Sequence, residues 1–167
     1  MYPTRRTVLI SGAALAAMAG LAAVYGPLPA AEPGRRVLSE VDAALVRSIG
    51  EAMFPPGGPL GVSANDVDLP AAMDTLLGDA LEAEVGLAFR WLIRTLDTGT
   101  LASRGARFTE LSLEVRQEVL ATWSDNAVLP RRMAHDLLRM AFGMAFFNTT
   151  AAQDAVGWSP MCARRSA

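Results

Sequence analysis

The chain has 167 residues, a formal charge of −2, one cysteine and one histidine, and its fifteen basic residues are all arginine. This balance gives no electrostatic footprint for nucleic acid, and the lone Cys162 excludes, within this chain, a disulfide, a Cys-x-x-Cys-His haem site, a thiolate-held iron–sulfur cluster and a Cys-rich zinc site. His135 stands alone and no Glu-x-x-His pair occurs, so no metal centre is expected either.

The N-terminal run Thr4-Arg5-Arg6-Thr7-Val8-Leu9 matches the twin-arginine export pattern, with Arg5, Arg6, Val8 and Leu9 as its signal residues. From Thr7 to Leu28 the chain is uncharged. Its core, Ser11 to Val24, is long enough to cross a bilayer of about 30 Å, but alanine and glycine gain little from lipid, which suits an export leader. Gly26-Pro27 breaks the helix, and Pro29-Ala30-Ala31 supplies the small residues a signal peptidase needs. Residues 1–31 therefore read as a signal peptide cut near Ala30 or Ala31, with a retained single-span anchor as the alternative. The chain is expected to be exported, to the periplasm or a membrane surface, with membrane contact through this segment.

Residues 32–38 read as a polar linker, 39–160 as one helical domain and 161–167 as a tail. Ser39 with Asp42 resembles a capping box, and Val41, Leu45, Ile49 and Met53 mark the apolar face of a first helix. Phe54-Pro55-Pro56-Gly57-Gly58-Pro59 stops it and opens a long loop to about Asp68. Asp68 caps a short helix with Pro70 in its first turn, interrupted at Gly78. A main core helix runs from Asp79 to Thr98-Gly99, with Trp91 at the rim of the core. A polar connector follows, then a helix burying Leu113, Val115, Val119, Leu120 and Trp123, with Glu114, Arg116 and Glu118 facing water or each other.

Pro130 starts a helix that is apolar on nearly every face, and Thr150-Ala151-Ala152-Gln153 reads as a capping box for a last short helix stopped at Gly157. No stretch alternates like a strand. The fold class is all-α: a single small domain of about five to six helices after an N-terminal signal helix.

Candidate chemistry is sparse. There is no Gly-x-Gly-x-x-Gly flavin or dinucleotide loop and no Gly-x-Ser-x-Gly elbow. His135 beside Asp136 reads as a structural imidazole, and Cys162 as incidental. Asp66, Asp68 and Asp74 lack calcium-loop spacing, and caps explain two of them better. Met133, Met140 and Met144 read as core first and adaptable interface second.

The order of features resembles the gluconate 2-dehydrogenase subunit 3 family. The resemblance rests on the twin-arginine leader, a first helix running into Phe54-Pro55, the spaced Phe108, Leu111 and Arg116, and a terminal Val156-Gly157-Trp158, where Trp158 replaces a commoner tyrosine. It implies a non-catalytic small subunit that accompanies a flavoprotein large subunit of the glucose-methanol-choline class, supplies its export signal and stabilises it. A cytochrome c subunit often takes the electrons in such complexes. No cofactor is expected in this chain, and FAD is expected in the partner.

The apolar excess near the C terminus points to a covered face, since so many large side chains cannot all turn inward. Phe54, Pro55, Phe142, Phe146 and Trp158 are the expected partner-interface residues. An independent helical domain binding a lipid or small apolar ligand is the alternative.

Overall fold

In the computed structural model the described residues are 27–80, 82–125 and 129–158. The signal residues Arg5, Arg6, Val8 and Leu9, and Cys162, lie outside them. The domain is all-α, with six helices and no strand among the described residues.

Helix α1 spans Glu40–Met53 and begins with the expected box: the Ser39 hydroxyl accepts from the Asp42 N–H, while the Asp42 carboxylate accepts from the Ser39 N–H. Glu40 and Asp42 also place negative charge at the positive end of the helix. The buried arc differs from the expected stripe. Leu45 and Ile49 are buried as expected, but Val41 is 53% exposed, and Asp42 and Val46 face inward. The reason is that α1 is a central helix, in contact with three others, and Asp42 is drawn inside by arginines.

Helix α2 covers Leu69–Thr75, with the Asp68 carboxylate accepting from Ala71 N–H and Pro70 in the first turn. It widens into a π turn, Leu76–Ala80, rather than stopping at Gly78. Gly78 lies against the Arg36 side chain, where a Cβ would sit 3.0 Å from Arg36 Cδ. Helix α3, Ala83–Arg104, runs past the expected end at Thr98-Gly99. Buried Leu96 and Thr100 keep this stretch packed, and the helix ends only at Gly105, whose φ of 73° is a left-handed cap.

Helix α4, Leu113–Ser124, is capped by Ser112; α5 is Leu129–Phe147 and α6 is Thr150–Ala155. Single 3-10 turns at Ala64–Asp66 and Phe108–Glu110 shape the two longer connections. The last cap differs from expectation. Thr149 is the N-cap residue, and its hydroxyl donates to the Phe146 carbonyl, while Gln153 Nε2 donates to the Phe147 carbonyl, so no Thr150–Gln153 box forms.

Helix α1 packs against α2, α3 and α4, and α5 lies across α2 and α4 with α6 folded onto its end. Leu45, Ile49, Leu69, Met73, Ile93, Leu96, Phe108, Leu138, Phe142 and Phe146 form the fully buried centre. The helices are also joined by ion pairs. Asp42, with 0% exposure, accepts from Arg90 Nε at 2.8 Å and Arg94 Nε at 2.7 Å, tying α1 to α3. Arg116 does not face water. It is buried against α1, donating to Glu51 at 2.7 Å and to the Ser48 carbonyl at 2.8 Å. Asp97 holds Arg107 and the Thr109 N–H and hydroxyl, fixing the turn before α4.

Candidate docking surface

Helix α5 carries two apolar stripes. Leu138, Phe142, Ala145 and Phe146 turn inward; Met133, Leu137, Met140, Met144 and Phe147 recur three or four residues apart on the opposite side and are exposed. Met140 is 59% exposed. The outward stripe forms one wall of a groove of 540 Å³ whose other wall is Val85, Ala88, Phe89 and Leu92 of α3. Leu76 and Leu77 of the π turn close one side of it, and Phe89 meets Phe142 beneath, with ring centroids 6.1 Å apart. Among the described residues no charged side chain lines the groove.

The apolar surface continues around the end of α5. Met144 and Phe147 share a second hollow, of 390 Å³, with Asn148, Gln153, Val156 and Trp158. The turn that builds it is set by backbone bonds: Thr149 N–H donates to Phe146, Gly157 N–H to Asp154 and Trp158 N–H to Gln153. Gly157 takes φ 67°, a conformation that favours glycine and swings Trp158 back towards Phe147. Trp158 is 54% exposed.

The expected interface residues therefore divide. Trp158 lies on the exposed face. Phe54 and Pro55 are half-buried at its edge, where Phe54 stacks on Phe146 and meets Phe147 edge-on. Phe142 and Phe146 are corrected: both are 0% exposed core residues and cannot reach a partner's surface. The large apolar side chains of α5 that stand exposed are Met133, Leu137, Met140, Met144 and Phe147. The methionines, expected to be core first, are the surface itself. The signal that finds them is the second stripe, 133, 137, 140, 144 and 147, which runs opposite the core stripe of the same helix.

Among the described residues the polar clusters are structural ion pairs and caps. His135 is half-buried, its Nδ1 lies 3.6 Å from the Asp136 carboxylate, too far for a hydrogen bond, and it finds no other partner among the described residues. No group of three metal-ligating side chains occurs among the described residues. Asp66 and Asp68 serve as caps, and Asp74 accepts the N–H groups of Arg36, Val37 and Leu38. Trp91 is buried rather than at the rim. No helix among the described residues is long and apolar enough to cross a membrane.

The electrostatics are those of structural ion pairs. Burial pushes the Asp42 carboxyl upward, but hydrogen bonds from Ser39 and the Arg94 guanidinium outweigh it and hold the group below the ordinary carboxylate range. For Asp74, burial is likewise overcome by three backbone N–H donors. The Arg116 guanidinium holds Glu51 low. Such groups stay ionised and are poor proton shuttles at neutral pH.

Among known proteins, a family model described as gluconate 2-dehydrogenase subunit 3 matches residues 40–162. No curated protein and no solved structure matches the chain.

Proposed function

The chain belongs to the gluconate 2-dehydrogenase subunit 3 family, a family of accessory subunits in a multi-subunit complex, and on that premise we propose that it is a non-catalytic partner of an exported flavoprotein. In this reading the large subunit is an FAD-dependent dehydrogenase of the glucose-methanol-choline class acting on a sugar, sugar acid or alcohol. This chain contributes the twin-arginine leader that carries both across the membrane, and it covers an apolar surface of the large subunit. A cytochrome c subunit receives the electrons. The FAD belongs to the partner.

The observation that carries the proposal is the outward stripe of α5. Five large apolar side chains, Met133, Leu137, Met140, Met144 and Phe147, stand exposed in one line and run on to Trp158. An exposed apolar face of this continuity is a surface that a partner protein can cover. Methionine suits it because the unbranched thioether adapts to an irregular partner.

A second reading is favoured by the groove itself. Its 540 Å³ falls within the range of small-molecule sites, and its lining is apolar, so a lipid tail would fit. Purification of the tagged chain from its host separates the two readings. A yellow, FAD-containing large partner in stoichiometric amount supports the subunit reading. A lone monomer carrying lipid, seen by mass spectrometry, supports the other.

A further inference from the structure

The chain between the leader and α1 is fastened on both sides of the bond at which a signal peptidase is expected to cut. Upstream, Arg90 of α3, which also holds buried Asp42, donates from Nη2 to the Pro29 carbonyl. Downstream, Glu32 N–H donates to the Leu38 carbonyl, the Glu32 carboxylate accepts from Arg35 Nε at 2.7 Å, and Arg35 N–H closes a turn onto the Glu32 carbonyl. The following N–H groups, of Arg36, Val37 and Leu38, converge on the Asp74 carboxylate, and Leu38 is fully buried. Ala30 and Ala31 sit between these two anchorages, Ala30 exposed and Ala31 half-buried, so the fold restrains the backbone here without covering it.

Peptide-binding clefts that take an extended chain pair with its backbone over several residues and use alternate side-chain pockets. For cleavage after Ala30 or Ala31, the Pro29 carbonyl and the Glu32 N–H both fall within that stretch. Both are already committed to the fold, and residues 32–35 are turned rather than extended. A chain exported through the twin-arginine route is folded when it meets the peptidase, so the contacts are in place at that moment.

We propose that the folded domain holds residues 29–35 out of the extended conformation a signal peptidase needs, so that the Ala30–Ala31 and Ala31–Glu32 bonds resist cleavage and the leader is retained and tethers the complex to the membrane. The proposal rests on the reading of residues 1–31 as an export leader. Cleavage then depends on local opening of residues 29–38, and its rate follows the population of the opened form.

The test compares the purified full chain, in detergent, with a synthetic peptide of residues 24–38, each incubated with a bacterial type I signal peptidase and read by mass spectrometry. The peptide should be cut after Ala30 or Ala31, and the full chain at least about tenfold more slowly. Replacing Arg90→Ala should speed cutting of the full chain by roughly 10- to 100-fold, the effect of losing a hydrogen bond to a charged group. Because that change also takes a partner from Asp42, the double variant Glu32→Ala with Arg35→Ala is the cleaner probe, since it leaves the α1–α3 contact intact and should also be cut faster. A full chain cut as fast as the peptide overturns the proposal and leaves the leader reading standing. A peptide that resists cutting as the full chain does also overturns the proposal, because the fold is then not what protects these bonds. In cells, Arg5 and Arg6 present in the membrane-bound chain is the matching result, and an N terminus at Ala31 or Glu32 is the contradicting one.

Discussion

Phe54 lies flat on Phe146: the ring centroids are 4.1 Å apart and the planes 5° from parallel. Phe147 meets both edge-on, at 6.3 Å from Phe54 and 5.4 Å from Phe146. This contact seals the loop after α1 onto α5. It also separates two adjacent phenylalanines, one spent in the core and the next presented to solvent. Offset or edge-on aromatic pairs contribute about 0.5–1.5 kcal/mol beyond the area they bury.

The separation has a measurable consequence. Phe146→Ala should destabilise the domain by about 3–5 kcal/mol in urea unfolding, the usual cost of emptying an aromatic core site. Phe147→Ala, on the exposed side, should cost about 1 kcal/mol or less in the same assay. Equal losses at the two positions would show that the inward and outward stripes of α5 are wrongly assigned.

Asp42 is the polar centre of the fold. It accepts from Ser39, Arg90 and Arg94 with no exposure to solvent. Removing one member of a buried charge cluster leaves the others desolvated and unpaired. Asp42→Ala should therefore cost about 3–5 kcal/mol, read as a shifted denaturant midpoint with unchanged slope. A loss below about 1 kcal/mol would mean that the arginines find other partners.

The same carboxylates set the response to acid. Asp42, Asp74 and Glu51 are all held below their ordinary values when folded. Between the folded and unfolded values the unfolded chain binds more protons, so folding stability rises with pH in that window. The contribution is fully present above the unfolded value, near pH 4, and disappears as the pH falls through the folded values. Melting temperature should hold from pH 7 to about 5 and drop as the pH falls below about 4. Asp42→Asn should be less stable at pH 7 and show a shallower acid drop. An equally steep drop in the variant would assign the acid response to other groups.

Much of this architecture was legible in the residues, and the exceptions share a cause. Capping chemistry is local, so Ser39–Asp42, Asp68 with Pro70, and Gly157 are all found where the sequence places them. Periodicity treats arginine and aspartate as solvent-facing, which is why buried Asp42, Arg90 and Arg116 escape it, and why Val41 seems the better core residue. Their partners on other helices are 48 to 68 residues away and leave no local mark. Gly99 looks like a helix end, yet a Cβ there would meet nothing, so α3 passes through it on the strength of Leu96 and Thr100. In α5 the apolar residues are visible, but which of two opposed stripes is inward depends on where α2 and α4 lie. That choice is tertiary, and it is why Phe142 and Phe146 are core while Met140 and Met144 are exposed.

The central claim is that this exposed stripe binds the large subunit, and affinity measured on a pair of charge variants tests it most directly. Leu137→Glu with Met140→Glu puts two carboxylates on the outward stripe, at positions 51% and 59% exposed, so the isolated domain should keep its fold and melting behaviour. Each desolvated charge in an apolar interface costs several kcal/mol, and binding of the flavoprotein should weaken by roughly 10²-fold or more, with loss of co-purification. Unchanged binding of the flavoprotein by a correctly folded double variant would contradict the account.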